Sequence, residues 1–125
     1  MATSDSSRPA LLVSRDLFFT SMVLGAASLQ GMEVQVVADA PSAVERILAG
    51  HVACIFIDLA DPGLDVAGFF ARLPEGRPPV VAFGSHVATA RLKEAREAGC
   101  TEVLPRSRFS ASLPELLKKY CTPSA

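Results

Sequence analysis

Residues Cys54-Ile55-Phe56-Ile57-Asp58-Leu59-Ala60-Asp61-Pro62-Gly63-Leu64-Asp65 make an apolar run that stops at a carboxylate and then turns. An apolar run of this length, closed by Pro-Gly, predicts a strand buried on both faces inside a parallel sheet. Asp58 then falls at the carboxyl end of that strand, where open α/β sheets place their ligands and chemistry. It is the first candidate functional residue.

Working outward from this strand, residues 10–13 (Ala-Leu-Leu-Val) read as a short strand. Asp16 is placed to cap the helix over residues 17–30 that follows. Phe18, Phe19, Met22, Val23, Ala26 and Leu29 recur there at helical spacing, and Gly31 suits a left-handed end. Residues 33–38 alternate as a partly exposed strand near a sheet edge. Pro41 opens a second helix with Val44, Ile47 and Leu48 on one face and Gly50 beyond its end. After the Asp58 strand come a short helix over 66–73, a Pro/Gly-rich loop over 74–79 and a strand over 80–83. The helix over 88–98 has Ala88, Leu92 and Ala95 as its inner stripe, and its charges from Arg91 to Glu97 read as a solvated face. A fifth strand over 101–104 precedes a last helix opened by the capping box Ser112-Leu-Pro-Glu115, with Leu113, Leu116, Leu117 and Tyr120 inward.

Five strands alternating with five helices require a parallel sheet with right-handed crossovers. At this length that is a flavodoxin-like doubly wound α/β fold: five strands in the order 2-1-3-4-5, with helices on both faces. The 125 residues, half of them apolar, bound one domain over 10–121, after a disordered polar lead-in over 1–9 and before a tail over 122–125. A formal net charge of -1 argues against nucleic-acid or membrane partners recruited by bulk charge. Cys54, Cys100 and Cys121 lack CxxC spacing and are expected as reduced thiols, which points to a cytoplasmic protein. His51 and His86 stand apart from other metal-ligating residues, so no metal site is expected from them.

The Asp58, Pro62 and Asp65 spacing, placed after the third strand of a five-fold βα chain, resembles the receiver domain of bacterial two-component response regulators. The resemblance runs from about Ala10 to Tyr120 and includes the Ala98-Gly99 pair before the fifth strand. It implies that Asp58 is the candidate phosphoacceptor, in a pocket formed by Ser14, Arg15, Asp16, Asp61, Gly84, Ser85 and Arg106. Several of these depart from the family pattern. The acidic pair that holds Mg²⁺ reads Ser14-Arg15, the hydroxyl residue ending the fourth strand reads Gly84 with Ser85 next, and the lysine after the fifth strand reads Arg106. Moving a phosphoryl group onto a carboxylate gathers negative charge that a metal ion and fixed cations must neutralise. The resemblance is therefore to a degenerate, or pseudo, receiver.

Two functions follow from it. One is a phosphorelay signal-transduction module that is not an enzyme, needs no cofactor and acts by protein contact without phosphorylation. Its partners would be a histidine kinase or another regulator, or a second copy of itself met through the last helix and its neighbours. The other is a working receiver that accepts phosphate on Asp58 from a histidine kinase with Mg²⁺, Asp16 or Asp61 rebuilding the metal site. An unrelated small α/β enzyme or nucleotide binder ranks last, because the chain has no GxGxxG and no P-loop.

Overall fold

The computed structural model describes residues 8–121, so the lead-in over 1–7 and the tail over 122–125 lie outside the described residues. Strands β1 (Ala10–Val13), β2 (Val34–Val37), β3 (Cys54–Asp58), β4 (Val80–Gly84) and β5 (Glu102–Pro105) alternate with five helices. These are α1 (Leu17–Leu29), α2 (Ala40–Ala49), α3 (Val66–Ala71), α4 (Thr89–Ala98) and α5 (Arg106–Cys121). Every ladder is parallel and the order is β2-β1-β3-β4-β5, the doubly wound topology expected, with β3 central.

Period two along β3 builds the two cores. Ile55 and Ile57 pack with Val44 and Ile47 of α2, Val66 and Phe69 of α3, and Leu92 and Ala95 of α4. Cys54 and Phe56 point the other way, to Phe19 and Val23 of α1 and Phe109, Leu113 and Leu117 of α5. The second core is aromatic: Phe83 stacks on Phe109 at 4.2 Å and on Phe19 at 4.8 Å between centroids, and Phe56 meets Phe109 edge-on at 5.5 Å. Burying one such ring stabilises by about 1.5–3 kcal/mol.

Aspartates set three helix starts. Asp16, Asp39 and Asp65 accept hydrogen bonds from the backbone N–H of Phe19, Ser42 and Gly68, respectively. Gly50 and Gly99 end α2 and α4 with φ of 89° and 112°, a left-handed conformation that costs glycine little.

Four features differ from the sequence reading. Phe18, Leu29 and Leu48, placed on inner faces by spacing, are 82%, 90% and 60% exposed, because each helix buries only the narrow stripe that meets the sheet. The last helix begins at Arg106, six residues before the capping box, and carries Pro114 inside it. Phe109 explains the shift: wholly buried in the aromatic stack, it extends the Leu113, Leu116 and Leu117 stripe one turn earlier. The Pro114 carbonyl accepts a hydrogen bond from Gln30 Nε2 at 3.1 Å. Cys54 and Cys121 form a disulfide rather than remaining thiols. Their Cα atoms are 5.7 Å apart, within bridging range, because α5 ends over the start of β3. Residues 67 apart in sequence give no hint of this, and the cytoplasmic expectation loses the support it took from reduced thiols. Finally, Arg91 is not solvated like its neighbours but turns back onto the β3–α3 loop.

Candidate functional site

Parallel register gathers the candidate residues at one edge of the sheet. Val13 pairs with Ile57, Asp58 with Phe83 and Gly84 with Pro105, so Ser14 and Arg106 each lie one residue beyond a ladder pair, flanking Asp58. Asp58 is 3% exposed and its carboxylate is fully engaged. Oδ2 accepts from Ser14 Oγ at 2.9 Å, and Oδ1 accepts from the Ala60 backbone N–H at 2.9 Å and from Arg106 Nη2 at 3.0 Å. Ser14 is itself buried, and its hydroxyl accepts the Asp16 N–H at 3.1 Å, which fixes the direction of its donation.

Arg106 is the cation of this site. Its other terminal nitrogen, Nη1, stands 3.8 Å from Asp16 Oδ2, and its guanidinium carbon lies 4.9 Å from the Phe19 ring centroid and 5.6 Å from that of Phe83. The planar fork is thus shelved on two rings while it spans two carboxylates, an arrangement that suits arginine better than lysine. At an effective dielectric near 20, an ion pair at about 4 Å has a gross attraction of about 4 kcal/mol, from which desolvation subtracts.

The remaining pocket residues line the edge without touching the carboxylate. Arg15 is exposed and forms the rim of a cleft shared with Asp16, Asp58, Ala60 and Asp61. Its charge acts on Asp39, whose carboxyl is held below the usual range first by the Ser42 backbone N–H, then by the Ser42 side chain and last by Arg15. Asp16 caps α1 as expected, with its second oxygen turned to Arg106. Asp61 accepts the Gly63 N–H at 2.9 Å and shapes the turn. Asp65, matched in the family pattern, caps α3 instead of entering the pocket. Ser85 is exposed, and its hydroxyl accepts the Val87 N–H at 3.3 Å within its own loop. Gly84 is closely packed: a Cβ there would come 3.1 Å from Leu59 Cβ.

The sequence reading missed one residue. Arg91 donates from Nε to the Leu59 carbonyl at 3.3 Å and from Nη2 to the Asp61 carbonyl at 2.9 Å, while Nη1 pairs with Glu94 at 3.0 Å. It clamps the backbone on either side of Ala60, whose N–H serves Asp58. A charge within a charged helix gives no sequence signal for such a role; its position one residue before the buried Leu92 is the only hint.

The donor set does not fit the magnesium ion that the resemblance implies. Mg²⁺ takes oxygen ligands in a near-octahedral shell, usually with one or two carboxylates. Here the central carboxylate already holds a guanidinium, the residues beside it are a serine and an arginine, and Asp16 and Asp61 each give one oxygen to local backbone, with the other oxygen of Asp16 turned to Arg106. Among the described residues, no group of three His, Cys, Asp or Glu side chains is placed to hold a metal. No helix among them is long and apolar enough to cross a membrane.

No family model matches the sequence, and no curated protein matches it. Solved structures do match. The chain resembles the receiver domain of the sensor histidine kinase PA1611 from Pseudomonas aeruginosa PAO1, a structure with a magnesium ion coordinated in its active-site cleft. The TM-score is 0.77 at 21% identity, covering 92% of this chain and 98% of that one. A response-regulator signal receiver domain from Bermanella marisrubri aligns with a TM-score of 0.78 at 17% identity, covering 93% and 99%. The phosphorylated cyanobacterial phytochrome response regulator RcpA aligns at 0.75 and 14%, covering 95% and 97%. In strand order, helix placement and near-complete coverage, this chain has the fold of response-regulator receiver domains.

Proposed function

We propose that this chain is a pseudo-receiver, a signalling module of the response-regulator type that works through protein contacts while Asp58 remains unphosphorylated. The observation that carries this reading is the Arg106–Asp58 pair at 3.0 Å, on a carboxylate whose other partners are Ser14 and the Ala60 N–H. A phosphoryl group entering here would have to displace Arg106 from Oδ1 or Ser14 from Oδ2. It would also need a dication that the Ser14-Arg15 pair is unsuited to hold. Arg106 supplies the neutralising charge within the protein, so the strand-end site is complete in one state. The module has no catalytic role of its own, and its partner is a signalling protein of the histidine-kinase or regulator kind.

The working-receiver reading has one observation in its favour: Asp58 borders an open cleft of about 400 Å³, through which a small donor can approach. Incubation with acetyl phosphate and Mg²⁺, followed by intact mass measurement, separates the two. The pseudo-receiver stays at its starting mass. A stoichiometric phosphoryl adduct that disappears in Asp58→Asn establishes the working receiver instead.

A further inference from the structure

Helix α1 carries no Asp, Glu, Lys or Arg in its 13 residues, Leu-Phe-Phe-Thr-Ser-Met-Val-Leu-Gly-Ala-Ala-Ser-Leu. It buries only Phe19, Val23 and Ala27 against the sheet. Its outward side keeps Leu17 83%, Phe18 82%, Leu24 40% and Leu29 90% exposed. A surface helix normally turns charge to water, and a contiguous apolar face marks an interaction site. The contrast within this molecule is direct: the outer face of α4 carries Lys93, Glu94, Arg96 and Glu97.

From this face we infer that the chain self-associates through α1, packed antiparallel against the α1 of a second copy about a two-fold axis. The occupant is a second copy because the exposed stripe is self-complementary. Phe18, Met22, Gly25 and Leu29 follow the 4-3-4 spacing of a coiled-coil seam, with Phe18, Gly25 and Leu29 exposed and Met22 partly buried against the core beneath. Reversed on itself, the stripe sets Phe18 opposite the partner's Leu29, and Met22 opposite the partner's Gly25. Large meets small at the centre, and an apolar pair closes each end. Gly25 faces open space, with nothing within 4 Å of a Cβ built there, so a methionine side chain has room. The neighbouring stripe of Leu17, Ser21, Leu24 and Ser28 has the same spacing and places no charge at the rim. An isologous interface brings like groups together, and α1 itself has none that repel; Asp16, His86 and Arg106 stand beyond Phe18 and Met22 at the other rim.

The area is sufficient. At about 150–200 Å² for a whole Leu or Phe side chain, the exposed fractions leave about 500 Å² of apolar surface per copy. A symmetric pair that covered the whole face would bury at most about 1,000 Å², the lower limit for a specific interface, so a weak, concentration-dependent dimer is expected. Although α1 packs beside α5, this face is distinct from the face of α4, β5 and α5, the dimer surface that the family resemblance implied. The inference rests on α1 alone and holds whether or not Asp58 is ever phosphorylated.

Sedimentation velocity on the full chain, from about 1 to 100 μM, tests it. The wild type should pass from monomer to dimer across that range. Phe18→Glu and Leu29→Lys, both at exposed positions, should each remain monomeric with an unchanged circular dichroism spectrum. An equimolar mixture of the two single variants should associate where neither does alone, because antiparallel pairing sets the glutamate of one copy against the lysine of the other and keeps Phe18 against Leu29 at the opposite end. A wild type that stays monomeric throughout overturns the inference. So does a dimer that survives either single change, or an equimolar mixture no more associated than its components.

Discussion

At the scale of single residues, the site is governed by an asymmetry of burial. Asp58 is 3% exposed, whereas the Arg106 side chain is 30% exposed, so the two partners respond differently when left alone. Removing Arg106 strands a buried carboxylate that keeps only Ser14 and the Ala60 N–H, and Arg106→Ala should cost about 1–3 kcal/mol. Asp58→Asn keeps one acceptor oxygen for Ala60 but not a second for the Ser14 hydroxyl, and returns a half-buried guanidinium to water, so its cost should be about 1 kcal/mol, below that of Arg106→Ala. Urea midpoints of the two variants check the ranking, and a larger loss in Asp58→Asn would show that the carboxylate, not its cation, organises the site. Gly84 makes a second prediction. A hydroxyl residue there restores the family pattern, but its Cβ meets Leu59 Cβ at 3.1 Å, so Gly84→Thr should destabilise by about 1–3 kcal/mol, read from the same urea curves. Much of this site was legible from sequence: Asp58 at the strand end, the loss of acidity at Ser14-Arg15 and a cation at Arg106. Which arginine reaches Asp58 was not, because that depends on side-chain length and the aromatic shelf of Phe19 and Phe83 rather than on spacing.

Among elements, α5 departs most from what its sequence suggests and does most to hold the site. It supplies Arg106 at its first turn and Phe109 to the aromatic core, and its last residue, Cys121, is bonded to Cys54 at the start of the Asp58 strand. The 67-residue separation of that bridge confines a long loop of the unfolded chain, and chain-entropy arguments give a stabilisation of at most about 4 kcal/mol. Thermal midpoints with and without reductant, with Cys54→Ala/Cys121→Ala as control, should show a clear drop on reduction that the control lacks. A second tie joins α5 to β5: Tyr120 Oη donates to Glu102 Oε2, which Lys119 Nζ also reaches at 3.3 Å. The Tyr120 hydroxyl, ahead of Lys119, holds the Glu102 carboxyl below its ordinary range. A depressed carboxyl stabilises the fold above its unfolded pKa and loses that contribution as pH falls through the folded value. The loss therefore falls below about pH 4.5, and for so exposed a group it is ~0.2–1 kcal/mol. Tyr120→Phe should flatten the acid limb of stability against pH; an unchanged limb would mean that the bond contributes nothing. The element order was readable because β-period and helix-period runs alternate cleanly. The start of α5 was not, because Ser112-Leu-Pro-Glu115 satisfies a local capping rule that the burial of Phe109 overrides.

For the whole molecule, the doubly wound sheet explains both what is like a receiver and what is not. Topology alone delivers the ends of β1, β3, β4 and β5 to one edge, so any chain with this fold collects residues beside Asp58. The chemistry then depends on which side chains arrive: here Ser14, Gly84 and Arg106, with Arg91 pinning the loop between. The fold could be inferred from hydrophobic period and turn placement, whereas the Arg91 clamp and the disulfide are products of tertiary placement that no local pattern encodes; the lack of charge in α1 is written in its sequence, but which of its apolar residues stay exposed depends on the stripe that meets the sheet. On the function proposed above, an internal arginine takes the place of a metal ion at Asp58. The most direct test of this reading is a Mg²⁺ titration followed by amide NMR, reading the Ala60 N–H that donates to Asp58. No saturable shift at Ala60 is expected in the wild type, and one should appear in Ser14→Asp/Arg15→Asp/Arg106→Lys. A saturable Mg²⁺-dependent shift at Ala60 in the wild type, abolished by Asp58→Asn, would contradict that reading.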